Sequence, residues 1–358
     1  MSGRTYRAAV IGCGKMSSGH ADAYKTVAGV ELIAGADVFE GARVAFAAKY
    51  SVDRMYSDAQ EMLNTEKPDL VSICTWPPLH AELTEAAFAA GVKGVWSEKP
   101  MSVHLSEADR MVKAAVAAGG VLIVNHQRRY IDSYVQARSL IAEGAIGDLT
   151  LITGICGGDA LTDGTHLIDM TRFLNNDVPV TSVFGAIDMT PKGDVSPDGM
   201  GTIEFNQTRM RYGHHVESGS SAIVFFENGV RGHLEMGNLA REGYQRFSID
   251  GTGGRIELSG DRAFADGSRI RVQRHTGTIE FPSPSTVEGA MERALSDLLT
   301  TIETGAEHTL SGTSGRTDLE IVNAVYESAR QRRIVPLPLE VRESPLEAML
   351  TAGEIQLN

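Results

Sequence analysis

Tyr6-Arg7-Ala8-Ala9-Val10-Ile11-Gly12-Cys13-Gly14-Lys15-Met16-Ser17 starts as a short apolar, β-rich run and breaks into glycines. Gly12 permits a tight turn, and Gly14 lets a backbone approach a pyrophosphate seated on a helix N-terminus. The third place of this G-x-G-x-x-G pattern is Ser17, small but not glycine, with Gly19 two residues on. The pattern carries weight only in context, and the context is here: a strand before it (6–11), a helical stretch after it (17–28), and an acid at the end of the next strand (30–36). That acid is Asp37, 25 residues beyond Gly12 and placed to bind a ribose 2′-hydroxyl. A carboxylate there repels the 2′-phosphate of NADP, so NAD is the expected cofactor and NADP the less favoured one. Arg43, a helix turn further in, is expected to face solvent. The bland alternative is a structural strand–helix turn.

Outward from this loop, strand and helix alternate. Residues 70–75, 92–97 and 121–125 read as buried strands, and 40–50, 79–90 and 105–118 as helices. That alternation, with near-continuous apolar strands, indicates βαβ units and a parallel sheet covered on both faces. After about residue 148 the pattern changes. Strand candidates at 149–155, 180–187, 203–205, 221–226, 230–236, 245–249, 256–258 and 270–274 are separated by tight turns such as Asn228-Gly229, which predicts a largely antiparallel sheet. Helices are expected at 163–174, 287–303 and 317–331, a loop at 190–200, and an amphipathic tail from Arg342 that either docks or stays loose. The expected fold class is α/β: an N-terminal Rossmann dinucleotide-binding domain over residues 1–125, then an α+β domain over 126–341 with a large, mainly antiparallel open sheet, then the tail 342–358.

Length and composition agree. A chain of 358 residues exceeds what one core usually spans, and 42% hydrophobic with 22% charged residues is ordinary for a globular protein. The longest apolar runs, such as 121–124, fall far short of the roughly 20 residues that cross a bilayer, and the N-terminus lacks an apolar stretch long enough for a signal peptide. Cys13, Cys74 and Cys156 are odd in number and lack metal spacing, which fits a reducing cytosol. The net charge of −13 disfavours nucleic acid and anionic membranes as partners. A cytoplasmic location and no metal are the expectations.

Two further stretches bear chemistry. Thr75-Trp76-Pro77-Pro78-Leu79-His80 ends a main strand, and the carboxyl end of such a strand lies at the cofactor crevice. Trp76 either stacks near the adenine or closes the core, and His80 is as well read as a cap or a solvated side chain as a functional one. Trp96-Ser97-Glu98-Lys99-Pro100 ends the next strand, where a lysine can polarise a carbonyl or stabilise an alkoxide. A surface lysine before a turn is the equal alternative.

Together with Gly12–Gly14 and Asp37, these motifs resemble the glucose–fructose oxidoreductase, inositol dehydrogenase and rhizopine-catabolism (Gfo/Idh/MocA) family. The resemblance continues through Asn125-His126-Gln127-Arg128-Arg129-Tyr130, Gly157-Gly158, Gly164-Thr165-His166-Leu167-Ile168-Asp169, Phe225-Phe226-Glu227-Asn228-Gly229 and Gly251-Thr252-Gly253-Gly254, and so covers nearly the whole chain. It implies NAD(P)-dependent oxidation or reduction of a sugar, cyclitol or similar carbinol, and a second domain whose open sheet mediates oligomerisation. Lys99 matches the family's catalytic lysine and His166 its usual acid/base. The cofactor contacts so implied are Gly12, Gly14, Lys15, Met16, Asp37, Thr75, Trp76, Pro77, His80, Glu98, Lys99 and Gln127. Substrate contacts are Lys99, Arg128, Tyr130, Thr162, Asp163 and His166.

The family often carries Asp-x-x-x-His, and here Thr162 stands where that acid would be, with Asp163 next to it. On a helix over 163–174, Asp163 would be a good N-cap, and Asp163, His166 and Asp169 would share roughly one face. A helix N-terminus lowers an imidazole pKa and nearby carboxylates raise it, which can poise a base near neutrality. Asp163 is thus read either as a catalytic residue or as a plain cap; a metal on this face ranks low. His214 and His215 are left undecided between a pocket and a polar strand.

The leading expectation is a dehydrogenase acting on a secondary alcohol of a sugar, glycoside or inositol, with His166 taking the hydroxyl proton and Lys99 stabilising the oxyanion. A second reading is an NAD-dependent glycoside-cleaving enzyme using transient oxidation and elimination. A third is a non-catalytic NAD-binding regulator, against which the joint presence of Lys99 and His166 argues. A homodimer or homotetramer is expected, with one face of the second sheet covered by helices such as 287–303. The other face would present Ile223, Phe225, Leu234 and Met236.

Overall fold

In the computed structural model of the chain, residues 5–190, 208–237, 245–260, 263, 264, 266–281 and 289–355 are described. The strand expected at 203–205 and most of the 190–200 loop lie outside them. The chain divides into two compact units, Met1–Gln127 with Gly289–Arg316 and Arg128–Glu288 with Thr317–Asn358.

The first unit is built on β1 (Tyr6–Ile11), β2 (Val30–Ala36), β3 (Arg54–Tyr56), β4 (Leu70–Ile73), β5 (Gly94–Ser97) and β6 (Val121–Val124). They form one parallel sheet in the order β3-β2-β1-β4-β5-β6. Helices α1 (Ser17–Thr26), α2 (Glu40–Tyr50), α3 (Ala59–Glu66), α4 (His80–Ala89) and α5 (Leu105–Ala118) make the connections. Every residue of β4 and β5 is buried, as the unbroken apolar runs predict. The order reverses between β1 and β4, and ligands of such sheets bind outside the carboxyl ends of the strands at that point.

Helix α8 (Ala290–Thr304) packs on α1 and β6 of this first unit. It does not cover the second sheet, where the sequence reading put it. The apolar stripe of an amphipathic helix shows that a face is buried but not which surface buries it. Glycines make the seat: a Cβ on Gly94 would stand 2.9 Å from Ile302, and one on Gly19 would touch Met291 at 3.4 Å.

The second unit contains α6 (Asp132–Ala142), β7 (Leu149–Cys156), α7 (Thr165–Leu174), β8 (Val180–Asp188), a hairpin of β9 (Met210–Arg211) and β10 (His214–His215), and then β11 (Gly219–Phe226), β12 (Arg231–Met236), β13 (Gln245–Gly251), β14 (Gly254–Ser259), β15 (Ile270–Arg274) and β16 (Ile279–Glu280). Helix α9 (Gly312–Gln331), which belongs to this unit from Thr317 on, β17 (Val335–Pro336) and α10 (Pro345–Thr351) follow. Among the described residues nine strands form one sheet, β16-β15-β14-β13-β7-β12-β11-β8-β17, antiparallel throughout except for the β7–β12 pair. The tail docks through the buried Leu346 and Met349 of α10.

The register corrects the expected open face. Ile223 pairs with His233 and Ala222 with Leu234, so Ile223 and Phe225 point to one side while Leu234 and Met236 point to the other. Leu234 and Met236 are buried on the side that holds α7, where Met236 lies against Gly164. Thr153, His233, Ile223 and Phe184 form one row across four strands of the opposite, half-exposed face.

Candidate active site

The glycine loop is shaped by contact with β4. Gly12 has φ +87°, and a Cβ there would stand 2.7–2.8 Å from the backbone of Cys74 and Thr75, so only glycine fits. A Cβ on Gly14 would meet nothing within 4 Å, which leaves open space above the loop. Ser17 replaces the third glycine by donating its hydroxyl to the Gly14 carbonyl at 2.6 Å. Helix α1 starts with no side-chain cap and no acid in its first turn, leaving its N-terminal dipole open to an anion.

Asp37 stands just past β2, half-buried. Its carboxylate accepts the Cys13 N–H at 2.8 Å and the Phe39 N–H at 2.8 Å, so the acid also pins the glycine loop. Each oxygen keeps a further lone pair for a hydroxyl. Arg43 does not simply face solvent: its guanidinium donates to the Asp37 carbonyl at 2.7 Å and to the Val38 carbonyl at 3.1 Å. Val38, Phe39 and Trp76 are 76%, 73% and 60% exposed at the strand ends, and such apolar surface suits a purine face. Val38 and Phe39 escape the sequence reading because nothing in their spacing distinguishes them from core residues. Burial, and then the Asp37 charge, push the Cys13 thiol up to about 12, so it is inert. A dinucleotide fits this site on three counts: the glycine cradle, the half-exposed acid, and Thr75 Oγ1 and Gln127 Oε1, buried without a partner among the described residues.

His80 and Glu98 belong to the scaffold of this unit. The His80 ring is fully buried, with its nitrogens 3.0 Å from the Pro100 and Thr75 carbonyls, so the side chain straps two strand ends together rather than facing a ligand. Burial lowers its pKa against the opposing pull of those carbonyls and Glu98. Glu98 accepts from His20 Nε2 at 2.9 Å and Asn125 Nδ2 at 2.6 Å. Burial alone would raise its pKa, but His20, Lys99 and Asn125 together hold it below the usual carboxylate range. Lys99 follows, half-buried, and its peptide bond to Pro100 is cis. Lys15 and Met16 are exposed on the loop, and Pro77 is buried.

In the second unit, β7 ends at Cys156 and one wide π-type turn, Ala160–Gly164, leads into α7, whose second residue is the buried His166. The helix starts at Thr165, so Asp163 is not its N-cap. Asp159 caps the turn instead, accepting the Thr162 N–H at 2.6 Å. Asp163 is held by Arg211 Nη1 at 2.7 Å, and the same atom donates to Asp159 at 2.7 Å. Gly158, at φ +81°, makes room for Asp163, because any Cβ there would overlap the carboxylate. Asp169 pairs with Arg129 at 2.7 Å, and Arg129 also clasps Asp177. The two acids expected beside the histidine are thus each ion-paired, Asp163 with an arginine that Asp159 shares and Asp169 with one that Asp177 shares. Arg128 is buried with its Nη1 on Gln245 at 3.0 Å; Tyr130 is half-buried and Thr162 buried.

Beneath the turn, Glu217 accepts the Ala160 N–H at 2.6 Å and the Tyr326 hydroxyl at 2.7 Å. Burial first, and then the neighbouring Asp159 charge, push Glu217 up to about 7. Burial opposes ionisation of Asp159 too, but Arg211, His214 and the Thr162 N–H hold that carboxyl low. Asp159 thus keeps the charge and Glu217 tends to hold the proton. His214 is buried beside this cluster, and His215 reaches toward Glu347 at 3.7 Å. None of Arg211, Glu217 or Tyr326 stood out in the sequence, since each meets its partner only through the fold.

The profile described as an oxidoreductase family with an NAD-binding Rossmann fold matches residues 6–126, and that described as an oxidoreductase family C-terminal alpha/beta domain matches residues 152–339. D-apiose dehydrogenase of Paraburkholderia graminis is 25% identical over 371 residues, covering 99% of this chain and 95% of that protein. Myo-inositol 2-dehydrogenase of Thermotoga maritima is 25% identical over 355 residues, covering 92% and 98%. An oxidoreductase from Agrobacterium radiobacter, solved in complex with NAD+, L-tartaric acid and magnesium, superposes with a TM-score of 0.75 at 23% identity, covering 96% of this chain and 99% of that one.

Proposed function

Given that the chain belongs to the Gfo/Idh/MocA oxidoreductase family, with an NAD-binding Rossmann domain and an activity on CH–OH groups, we propose that it interconverts a secondary alcohol and a ketone on a sugar, glycoside or cyclitol. The observation that carries this reading is Lys99 at the carboxyl end of β5, on the sheet edge where the glycine loop and Asp37 also lie. The apiose and inositol dehydrogenases similar to this chain support the substrate class.

NAD, when bound, supplies the hydride acceptor. Gly12, Gly14 and the first turn of α1 hold its phosphates, Asp37 holds the ribose hydroxyls, and the apolar surface of Trp76 and Val38 suits the adenine. NAD is preferred over NADP because Asp37 disfavours a second negative charge at short range. His166 is the residue we assign to accept the carbinol proton, and the Lys99 ammonium the group we assign to stabilise the developing negative charge. Arg128, Tyr130, Thr162 and Asp163 supply directed hydrogen bonds to the remaining hydroxyls, which a polyol needs for selective binding. A homodimer or homotetramer forms through the half-exposed sheet face bearing Ile223 and Phe184. Lys99→Met tests the assignment: NAD binding persists and turnover falls by about 10²-fold or more. Unchanged turnover on the true substrate refutes it.

A further inference from the structure

Four polar side chains sit almost wholly buried at the carboxyl end of the first sheet, and local spacing explains none of them. His20 lies one turn into α1, Ser72 in β4, Glu98 after β5 and Asn125 after β6, and all four are at most 4% exposed. Glu98 Oε1 takes His20 Nε2 at 2.9 Å and Asn125 Nδ2 at 2.6 Å; Oε2 takes the backbone N–H of Lys99 at 3.2 Å. The partners are fixed in turn. His20 Nδ1 meets Ser72 Oγ at 2.9 Å, which meets the Tyr24 hydroxyl at 2.7 Å. The imidazole lies tilted against Trp96, with ring centroids 4.2 Å apart, and the Trp96 Nε1 donates to Asn125 Oδ1 at 3.1 Å.

Such a cluster adds little net stability, since apolar residues of the same volume generally fill a core as well or better. What it does accomplish is orientation. With both carboxylate oxygens engaged, the Glu98 side chain has one position, and its last bond closes on the backbone of Lys99. The anchor of that chain is α1, the helix that starts at the glycine loop.

We propose that His20, with Ser72 and Asn125, is a positioning residue for Lys99, acting through Glu98. The proposal rests on the reading of Lys99 as the oxyanion-stabilising group. A misplaced lysine costs transition-state stabilisation more than binding, because the charge it meets exists only as the carbinol oxygen loses its proton.

The test uses the full chain with His20→Ala, the more conservative His20→Gln, Lys99→Met and the double variant. Expected are a kcat lowered about tenfold or more in His20→Ala, with KM for the carbinol and the Kd for NAD within about threefold, and partial recovery of kcat in His20→Gln. In the Lys99→Met background, His20→Ala costs nothing further, as it must if it works through that lysine. Separately, in the cofactor-free chain, acylation of Lys99 followed by peptide mass spectrometry speeds up at least about threefold in His20→Ala while Lys93, paired with Asp69 at 2.6 Å, does not change. If His20→Ala does not fold, Asn125→Leu takes its place with the same expectations. Losses that add across the double variant, or an unchanged Lys99 acylation rate, overturn the proposal. If Lys99→Met itself leaves turnover intact, the catalytic reading of Lys99 fails, and the acylation result still decides whether His20 positions it.

Discussion

Replacing Arg211 by methionine tests the second unit most sharply. The methionine keeps most of the stem's volume and removes the guanidinium that joins Asp159 and Asp163, whose side chains are 0% and 8% exposed. Each pair, at 2.7 Å between heavy atoms, is worth a few kcal/mol at an effective dielectric of about 20, and relief from burying the guanidinium returns part of this. Removing one partner of a buried pair typically costs about 3–5 kcal/mol, because the other charge stays buried and unpaired. For a unit of this size that amounts to a fall in Tm of roughly 10 °C. The loss is electrostatic, so it shrinks in acid, where Asp159, held low chiefly by Arg211, takes up its proton. Adding Asp163→Asn should also recover roughly 0.5–3 kcal/mol, the usual range for coupled neighbours. The assay is thermal unfolding followed by circular dichroism at neutral and acidic pH. A Tm within about 2 °C of wild type, or a deficit equal at both pH values, refutes the reasoning. Because the same two acids shape the turn before His166, turnover should fall alongside stability.

Three other outcomes follow from the geometry. Asp37→Ser removes the carboxylate at the ribose site while Arg43 stays on the adjoining carbonyls, so affinity for NADP relative to NAD should rise about tenfold or more; an unchanged ratio in cofactor titrations contradicts the role given to Asp37. Glu217, raised from its ordinary 4.5 to about 7 by burial and Asp159, gives stability that is present below pH 4.5 and lost as pH rises through about 7. Glu217→Gln, neutral throughout, should flatten that decline, which is at most about 3 kcal/mol, and an identical Tm–pH slope in the variant rejects the assignment. Ile223→Glu on the half-exposed sheet face should convert an oligomer to monomers in light scattering, and a wild-type chain that is monomeric at micromolar concentration removes the oligomer altogether.

Strands β1, β2, β4, β5 and β6 of the first sheet were legible because their signals are local, whereas the three-residue β3 and the helix α3 after it were not read. A glycine loop between strand and helix, an acid at the next strand end and a lysine at another each depend on residues a few positions apart. The second unit was legible as a mainly antiparallel sheet with turns, but not in its pairings. Period-two patterning says that a strand has two faces; only the register with its neighbours says that Ile223 shares a side with His233 and not with Leu234. The His166 segment was misread for a related reason. Asp163 has the right residue type for an N-cap, yet its partner Arg211 lies 48 residues away, and Arg129 reaches Asp169 across 40. No local spacing encodes such pairs. The buried His20–Glu98 contact, 78 residues apart, escaped for the same reason, although a histidine on the buried face of an alanine-containing helix was the one available hint.

The most direct measurement is nicotinamide absorbance on mixing the chain with NAD and a panel of sugars, glycosides and inositols, with Lys99→Met run in parallel. At least one carbinol should reduce NAD, with Lys99→Met slower by about 10²-fold or more at unchanged NAD affinity. Reduction of neither NAD nor NADP by any member of the panel, or full activity in Lys99→Met, contradicts the account.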